Sequence, residues 1–223
     1  MLGTFLNMSD SERRLEGVFW LGGSPSSGKS SISEIVASRF GLKVYHVDEA
    51  FEARAQSFDP LRHPALAKWS ESSWNQRWMQ PVESLVQEVI ACYHEHFTLV
   101  LEELRSLPKR EPLLVEGTAL LPAQVAGVLS CQRRAIWLIP NADFQWQHYR
   151  RREWVRGILA QCSEPEKAFH NWMERDIRFA QWIEAETRVT HLSSIKVDGN
   201  RTIEQNAEAV ARHFQLLVDQ PQE

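Results

Sequence analysis

The 223-residue sequence predicts an α/β protein with a five-stranded parallel sheet flanked by helices. Five short apolar runs support this prediction, and each is bounded by Gly, Pro or polar residues. None alternates apolar with polar side chains, which is typical of strands covered on both faces. Segments with helical periodicity separate the runs, as in a chain that alternates strand with helix. The runs are GVFWLG (17–22), LKVYHV (42–47), PLLVEG (112–117), RAIWLIP (134–140) and SSIKVDG (193–199).

The helical segments follow the strands closely. After the first run, SSISEIVASRF places Ile32, Ile35 and Val36 on one helical face. After the second run, the stretch of 64 residues from Asp48 to Glu111 is too long for a simple crossover. It contains PVESLVQEVIACYHEHF, a long amphipathic pattern. We therefore expect one domain over residues 1–223 with a helical insert at about 49–80.

Composition excludes several classes of protein. The net charge is −4, with 43% hydrophobic and 24% charged residues, which does not favour a nucleic-acid-binding protein. No run approaches the roughly 18 apolar residues that span a bilayer, so no membrane association is expected. The three cysteines are odd in number and lack C-x-x-C spacing, which favours reduced thiols and a cytoplasmic protein. The chain is expected to be a monomer or a homodimer.

A loop between the first strand and the first helix carries the most specific motif. The residues from Gly23 to Ser30, GSPSSGKS, fit G-x-x-x-x-G-K-[ST] in the strand-to-helix context that this motif requires. Glycines let the loop curl so that its N–H groups and the positive end of the helix dipole face a polyphosphate. Lys29 would reach the β- and γ-phosphates, and the Ser30 hydroxyl would bind Mg²⁺. The predicted nucleotide-binding residues here are Gly23, Ser24, Ser26, Ser27, Gly28, Lys29, Ser30 and Ser31.

Two acidic residues follow predicted strands. Asp48 and Glu116 lie at carboxyl ends, the edge where open α/β sheets bind ligands. Phosphoryl transfer needs a carboxylate to hold Mg²⁺, directly or through water, and another can accept the proton of the attacking hydroxyl. We assign Glu116 to Mg²⁺ and Asp48 to the acceptor. Either could instead cap a helix or pair with an arginine.

The chain resembles the adenylate-kinase-like branch of P-loop kinases, which includes shikimate, gluconate and nucleoside monophosphate kinases. The resemblance covers nearly the whole length. The segment LLVEGTALLP (113–122) is similar to the strand-end E-G segment of 2-phosphoglycerate and uridine kinases. VDEAF (47–51) is similar to the segment that carries the acceptor-site acid of shikimate and gluconate kinases. No single member of the group is identified.

The resemblance also implies a lid. The segment HYRRREWVR (148–156) lies where these kinases fold arginines over the transferring phosphoryl group, so the lid is expected at about 144–162. Three consecutive arginines spread over about 200° of a helix and cannot all face one ligand. We predict Arg152 and Arg156 as the phosphate contacts, one turn apart, with Arg151 next.

Two further features follow the lid. Arg175 and Arg178 occur in a long helical pattern and are expected to be solvated charges, although either could reach back to the lid. The segment VDGNRT (197–202) resembles the loop that passes adenine in these kinases, with Gly199 permitting close approach.

The expected function is therefore a small-molecule kinase that uses ATP and Mg²⁺ to phosphorylate a hydroxyl or phosphate of a small metabolite. Lys29, Asp48, Glu116, Arg152 and Arg156 are the predicted catalytic residues. A nucleoside monophosphate kinase is one alternative. A regulatory ATPase whose output is a conformational change is another, of a different class. The sequence does not identify the acceptor or distinguish ATP from GTP.

Overall fold

A computed structural model of the chain describes residues 15–49, 51, 58–108 and 112–217. Its centre is a five-stranded sheet in the order β2-β3-β1-β4-β5, and every neighbouring pair of strands is parallel. The strands are β1 (Val18–Gly23), β2 (Lys43–His46), β3 (Leu113–Glu116), β4 (Ala135–Pro140) and β5 (Ser193–Val197). The predicted fold class is confirmed.

Helices lie on both faces of the sheet, and several belong to the long insert. They are α1 (Lys29–Phe40), α2 (Pro64–Glu71), α3 (Trp74–Trp78), α4 (Val82–Ser106), α5 (Pro122–Ala126), α6 (Ala142–Arg150), α7 (Glu153–Leu159), α8 (Pro165–Val189) and α9 (Ile203–His213). A 3₁₀ turn, Gln132–Arg134, precedes β4. Within the described ranges, no helix has the length and apolar character that crossing a membrane requires.

Burial explains why the strands lack alternation. All six residues of β1 and of β4 are buried, because helices cover both faces of these inner strands. One core contains Trp20, Trp137 and Phe179, and the core on the opposite face contains Leu21 and Val210. The edge strands β2 and β5 are only partly buried.

A third core joins the insert to the helices of the predicted lid. Trp78 of α3 stacks on Trp172 of α8 with ring centroids 4.3 Å apart and planes 9° apart. Tyr149 of α6 and Val155 of α7 are buried in the same cluster. Within the predicted insert at 49–80, residues 50 and 52–57 lie outside the described part, and its described helices are α2 and α3. The boundaries of insert and lid stay predictions.

Candidate active site

The Gly23–Ser30 loop runs from the end of β1 to the start of α1, and its glycines occupy positions that other residues would strain. Gly23 has a φ of +137°, and a Cβ there would lie 2.2 Å from the backbone oxygen of Leu138 in β4. Gly28 has a φ of +83° and caps the N-terminus of α1. The loop therefore needs glycine at both ends to curl tightly against the sheet.

Hydrogen bonds connect the loop to helices α6 and α8. The buried Ser24 donates its Oγ hydroxyl to the backbone oxygen of Asp176 at 3.3 Å. Gln145, fully buried, donates through Nε2 to Ser24 Oγ at 3.0 Å and to the Pro25 oxygen at 3.2 Å. Gln145 could not be selected from the sequence, because a single glutamine in a helical segment belongs to no motif.

Lys29 occupies the floor of the loop. Its side chain is 6% exposed, and Nζ donates to the Ser24 oxygen at 3.1 Å. Burial lowers the pKa of Lys29, while the charges of Asp48 and Glu116 raise it. A cavity of about 280 Å³ adjoins the lysine, and we call it the phosphate cavity. It is lined by Pro25, Ser26, Ser27, Gly28, Lys29, Ser30, Ser31, Asp48, Thr118 and Arg152.

Asp48 enters this cavity just beyond β2. Its carboxylate accepts hydrogen bonds from Thr118, at 3.0 Å from Oγ1 and at 3.2 and 3.3 Å from the backbone N–H. Thr118 follows β3 by two residues and is 4% exposed. The sequence alone does not single out Thr118, although this residue lies within the segment LLVEGTALLP (113–122) that resembles other kinases.

Glu116 is buried at the end of β3 and lies beside a histidine. Its Oε1 is 2.7 Å from Nδ1 of His46, and Nε2 of His46 is 2.9 Å from Oε1 of Glu34. Burial lowers the pKa of His46, but the hydrogen bonds to Glu116 and Glu34 and the charges of Glu116 and Glu49 outweigh this effect, so the net pKa of His46 is raised. The second Glu116 oxygen, Oε2, is buried without a hydrogen-bond partner. Glu116 does not line the phosphate cavity, yet its charge acts on Lys29.

The residues of the loop fit a polyphosphate with Mg²⁺. The Oγ atoms of Ser26 and Ser27 are buried without hydrogen-bond partners beside a buried lysine, so the cradle has donors to offer an anion. Ser30 is exposed at the start of α1, and Glu116 Oε2 is an unused acceptor. Across the described ranges, no cluster of three or more His, Cys, Asp or Glu could hold a metal.

The arginines of segment 148–156 take different positions. Arg152 caps the N-terminus of α7, lines the phosphate cavity, and contributes a charge that lowers the pKa of Lys29. Its Cζ is 5.1 Å from the ring centroid of Tyr149. Arg150, Arg151 and Arg156 are exposed and are not among the residues that line the cavity. Of the two predicted contacts, the structure brings Arg152 to the loop and leaves Arg156 on the surface.

The expectation that Arg175 is a solvated charge is wrong. Arg175 is 5% exposed, and its Nε lies 2.6 Å from Oδ1 of the fully buried Asp176. Burial raises the pKa of Asp176, and the neighbouring Arg175 opposes that rise. Arg178 is exposed and pairs with Glu83, as expected for a surface charge. A charged residue in a helical pattern is expected to be exposed to solvent unless a partner can be identified. Residues at adjacent helix positions do not face each other, so the sequence does not predict an ion pair between Arg175 and Asp176.

A second cavity, of about 220 Å³, opens beside the first, and we call it the aromatic cavity. It is lined by Asp48, Phe51, Trp69, Val89, Cys92, Tyr93 and His96. Asp48 thus lines both cavities. Phe51 and Trp69 lie within the insert predicted at about 49–80, whereas the other lining residues belong to α4, beyond that range. No sequence pattern selects these residues.

Gly199 lies in the exposed turn after β5 with a φ of +87°. A Cβ at this position would be 3.6 Å from Cδ2 of Phe144, whose ring stacks on His148 with centroids 3.8 Å apart. The positive φ explains the glycine, and its role beside adenine stays a prediction.

No protein-family model matches the chain, and no curated protein is similar to it. Among solved structures, it is similar to a shikimate kinase from Acinetobacter baumannii in complex with shikimate, at 16% identity and a TM-score of 0.49. That likeness covers 90% of this chain and 95% of the other. An uncharacterized protein from Eubacterium ventriosum ATCC 27560 is similar at 12% identity and a TM-score of 0.44, over 89% and 97% of the two chains.

Proposed function

We propose that the protein is an ATP-dependent phosphotransferase that moves the γ-phosphoryl group of Mg-ATP to a hydroxyl or phosphate of a small metabolite. The observation that carries the proposal is the position of Asp48, which lines both the phosphate cavity and the aromatic cavity. A carboxylate between a phosphate cradle and a small pocket is where a base must be to serve an acceptor. A protein that only hydrolyses ATP does not need the second pocket.

The residues take distinct roles in the proposed reaction. The backbone N–H groups of the loop and Lys29 hold the β- and γ-phosphates, and Arg152 spreads the charge of the moving group. An acceptor hydroxyl in the aromatic cavity gives its proton to Asp48 as its oxygen bonds to the γ-phosphorus. The bond between that phosphorus and the bridging oxygen breaks, and ADP leaves. Ser30 and Glu116 would hold Mg²⁺, directly or through water, and the ion would neutralise charge on the β- and γ-oxygens.

A phosphorylation screen tests the proposal. The full-length protein is incubated with Mg-ATP and a metabolite panel that includes neutral alcohols, hydroxy acids and nucleoside monophosphates, and both ADP and phosphorylated product are measured. The matched control is Lys29→Met, which keeps an alkyl chain in the buried lysine site but removes the charge. We expect acceptor-dependent product from the wild type and none from the variant.

Each alternative has its own result in this screen. Transfer to a nucleoside monophosphate alone would identify a nucleoside monophosphate kinase. A steady rate of ATP hydrolysis that is the same with and without every acceptor, together with no phosphorylated product, would favour a regulatory ATPase. That result would overturn the proposal.

A further inference from the structure

We propose that the acceptor is a small uncharged alcohol carried on a ring or another apolar body, bound in the aromatic cavity with its hydroxyl at Asp48. This inference rests on the proposed function, because it assigns the aromatic cavity to the phosphoryl acceptor. It deepens that function by excluding two of the acceptor classes that the fold alone would allow, anionic and cationic metabolites.

The walls of the cavity favour an apolar ring. Phe51, Trp69 and Tyr93 supply aromatic surface, and Val89 adds an aliphatic side chain. Aromatic side chains bind flat or apolar ligands through large contact areas at low cost in rotamer entropy. The volume of about 220 Å³ is below the roughly 300–1,000 Å³ of pockets for drug-sized ligands. The occupant is therefore of the size of a single ring with its substituents.

Asp48 disfavours an acceptor that carries its own negative charge. Its carboxylate is held at the junction of the two cavities by the hydrogen bonds from Thr118. Of the described residues that line the aromatic cavity, none is lysine or arginine. A carboxylate or phosphate on the acceptor would lose water and lie beside a like charge, with no lysine or arginine among the described lining residues to pair with.

A buried arginine stacked on Trp69 disfavours a cationic acceptor. Arg77 is 5% exposed, and its Cζ lies 3.6 Å from the ring centroid of Trp69 and 4.6 Å from that of Trp74. Arg77 is not among the described residues that line the aromatic cavity. Burial and, to a smaller extent, the charge of Arg175 together lower the pKa of Arg77 to about 10.

This arrangement makes Trp69 a poor partner for a second cation. A cation inside the cavity would face a Trp69 ring whose π-system already binds the Arg77 guanidinium. The Asp48 carboxylate thus lines the cavity, and a guanidinium occupies one of its aromatic walls. An uncharged ligand avoids both penalties.

Three para-substituted probes of similar shape test the charge preference by ligand-observed NMR with the full-length protein. They are 4-ethylbenzyl alcohol, 4-(hydroxymethyl)benzoate and 4-(aminomethyl)benzyl alcohol. We expect 4-ethylbenzyl alcohol to bind at least about tenfold more tightly than either charged probe. Asp48→Asn should reduce the difference in affinity between the neutral probe and the benzoate. Arg77→Met should reduce the difference in affinity between the neutral probe and the amine. Circular dichroism checks that both variants are folded. The order of the three affinities for the wild-type protein tests the inference even if a variant does not fold.

The outcomes separate this inference from the proposed function. Equal or tighter wild-type binding of either charged probe would overturn the inference, and so would the absence of binding by all three. The phosphorylation screen measures transfer, whereas this experiment measures binding alone. If the protein is a kinase that prefers charged acceptors, the screen gives product but the binding ranking fails. If the pocket binds neutral ligands but the protein is not a kinase, the ranking holds but the screen gives no product.

Discussion

The carboxylate of Asp48 accepts hydrogen bonds from both the backbone N–H and the Oγ1 hydroxyl of Thr118, a residue 70 positions further along the chain. Two donors from one residue fix the direction of the carboxylate, which is the group that must meet the acceptor. Thr118 is therefore a positioning residue in the proposed reaction, and it does not need to touch the substrate.

Removing the Thr118 hydroxyl should lower turnover without weakening ATP binding. In Thr118→Val the shape is kept and one hydrogen bond to a charged group is lost, a change of about 1.5–3 kcal/mol. Since the backbone N–H still holds Asp48, we expect a loss of kcat of roughly tenfold and an unchanged KM for ATP. Thr118→Ser is the matched control and should stay near wild type. Steady-state kinetics with the identified acceptor make the comparison, and a rise in the KM for ATP alone would contradict it.

The two acids should separate by role. Asp48→Asn should reduce kcat by about 10²-fold or more while ATP affinity is retained, because the base serves the acceptor. Glu116→Gln should instead raise the Mg²⁺ concentration needed for half-maximal activity. Mg²⁺ titrations and nucleotide-binding measurements on both variants distinguish these effects. The division of roles is wrong if both substitutions weaken ATP binding equally.

The His46 pair predicts a pH effect with a definite sign. Its raised pKa means that the folded state favours charged His46, so this stabilisation is complete below about pH 6.5 and is lost as the pH rises through the folded pKa. Glu116→Gln should lower the pKa of His46, as measured by NMR titration. The stability difference between wild type and variant should shrink above pH 6.5.

Glu34 provides the control for that titration. Its side chain is 63% exposed, whereas that of Glu116 is 2% exposed, so water screens its interaction with His46 more strongly. Glu34→Gln should therefore lower the pKa of His46 less than Glu116→Gln does. The reverse order would show that the buried glutamate is not the dominant partner.

The lid arginines should differ sharply in importance. Arg152 lines the phosphate cavity, so Arg152→Gln should reduce kcat by about 10²- to 10³-fold through lost stabilisation of the transferring group. Arg156 is exposed on the same short helix, and Arg156→Gln should change kcat by less than about threefold. Steady-state kinetics of the two variants, measured side by side with the wild type, give the two values of kcat. Equal losses would mean that Arg156 joins the phosphates once ligands are bound.

Mg-ATP should stabilise the protein against heat. A ligand at about 100 times its Kd adds roughly 2.7 kcal/mol, which for a chain of this size corresponds to a rise in Tm of about 5–10 °C. In Lys29→Met most of that rise should vanish, because the phosphates lose their buried positive partner. Differential scanning fluorimetry with ATP, GTP and ADP measures it. No rise with any of the three in the wild type would refute nucleotide binding.

Local patterns in the sequence predicted the sheet, the phosphate loop and the strand-end acids. The strands and α1 follow from short-range periodicity, and the loop follows from eight consecutive residues, Gly23 to Ser30. The supports of the site could not be predicted in this way. Gln145 and Asp176 reach Ser24 across 121 and 152 positions, and nothing near either residue in the sequence indicates the contact. The burial of Arg175 was missed for the same reason, because the packing of α8 against the rest of the fold determines it.

The order of the sheet has a consequence for the way the chain folds during synthesis. The central strand β1 pairs with β3 and β4, so Val18 meets Leu113 and Trp20 meets Ala135. At about 5–20 residues per second, the ribosome needs roughly 5–20 s to add the residues between positions 18 and 113. Throughout that interval β1, which is fully buried in the folded protein, has no partner strand, and the Gly23–Ser30 loop that follows it has no sheet to close against. The nascent chain therefore passes through an aggregation-prone stage. We expect a chaperone that holds extended apolar segments to raise the yield of native protein.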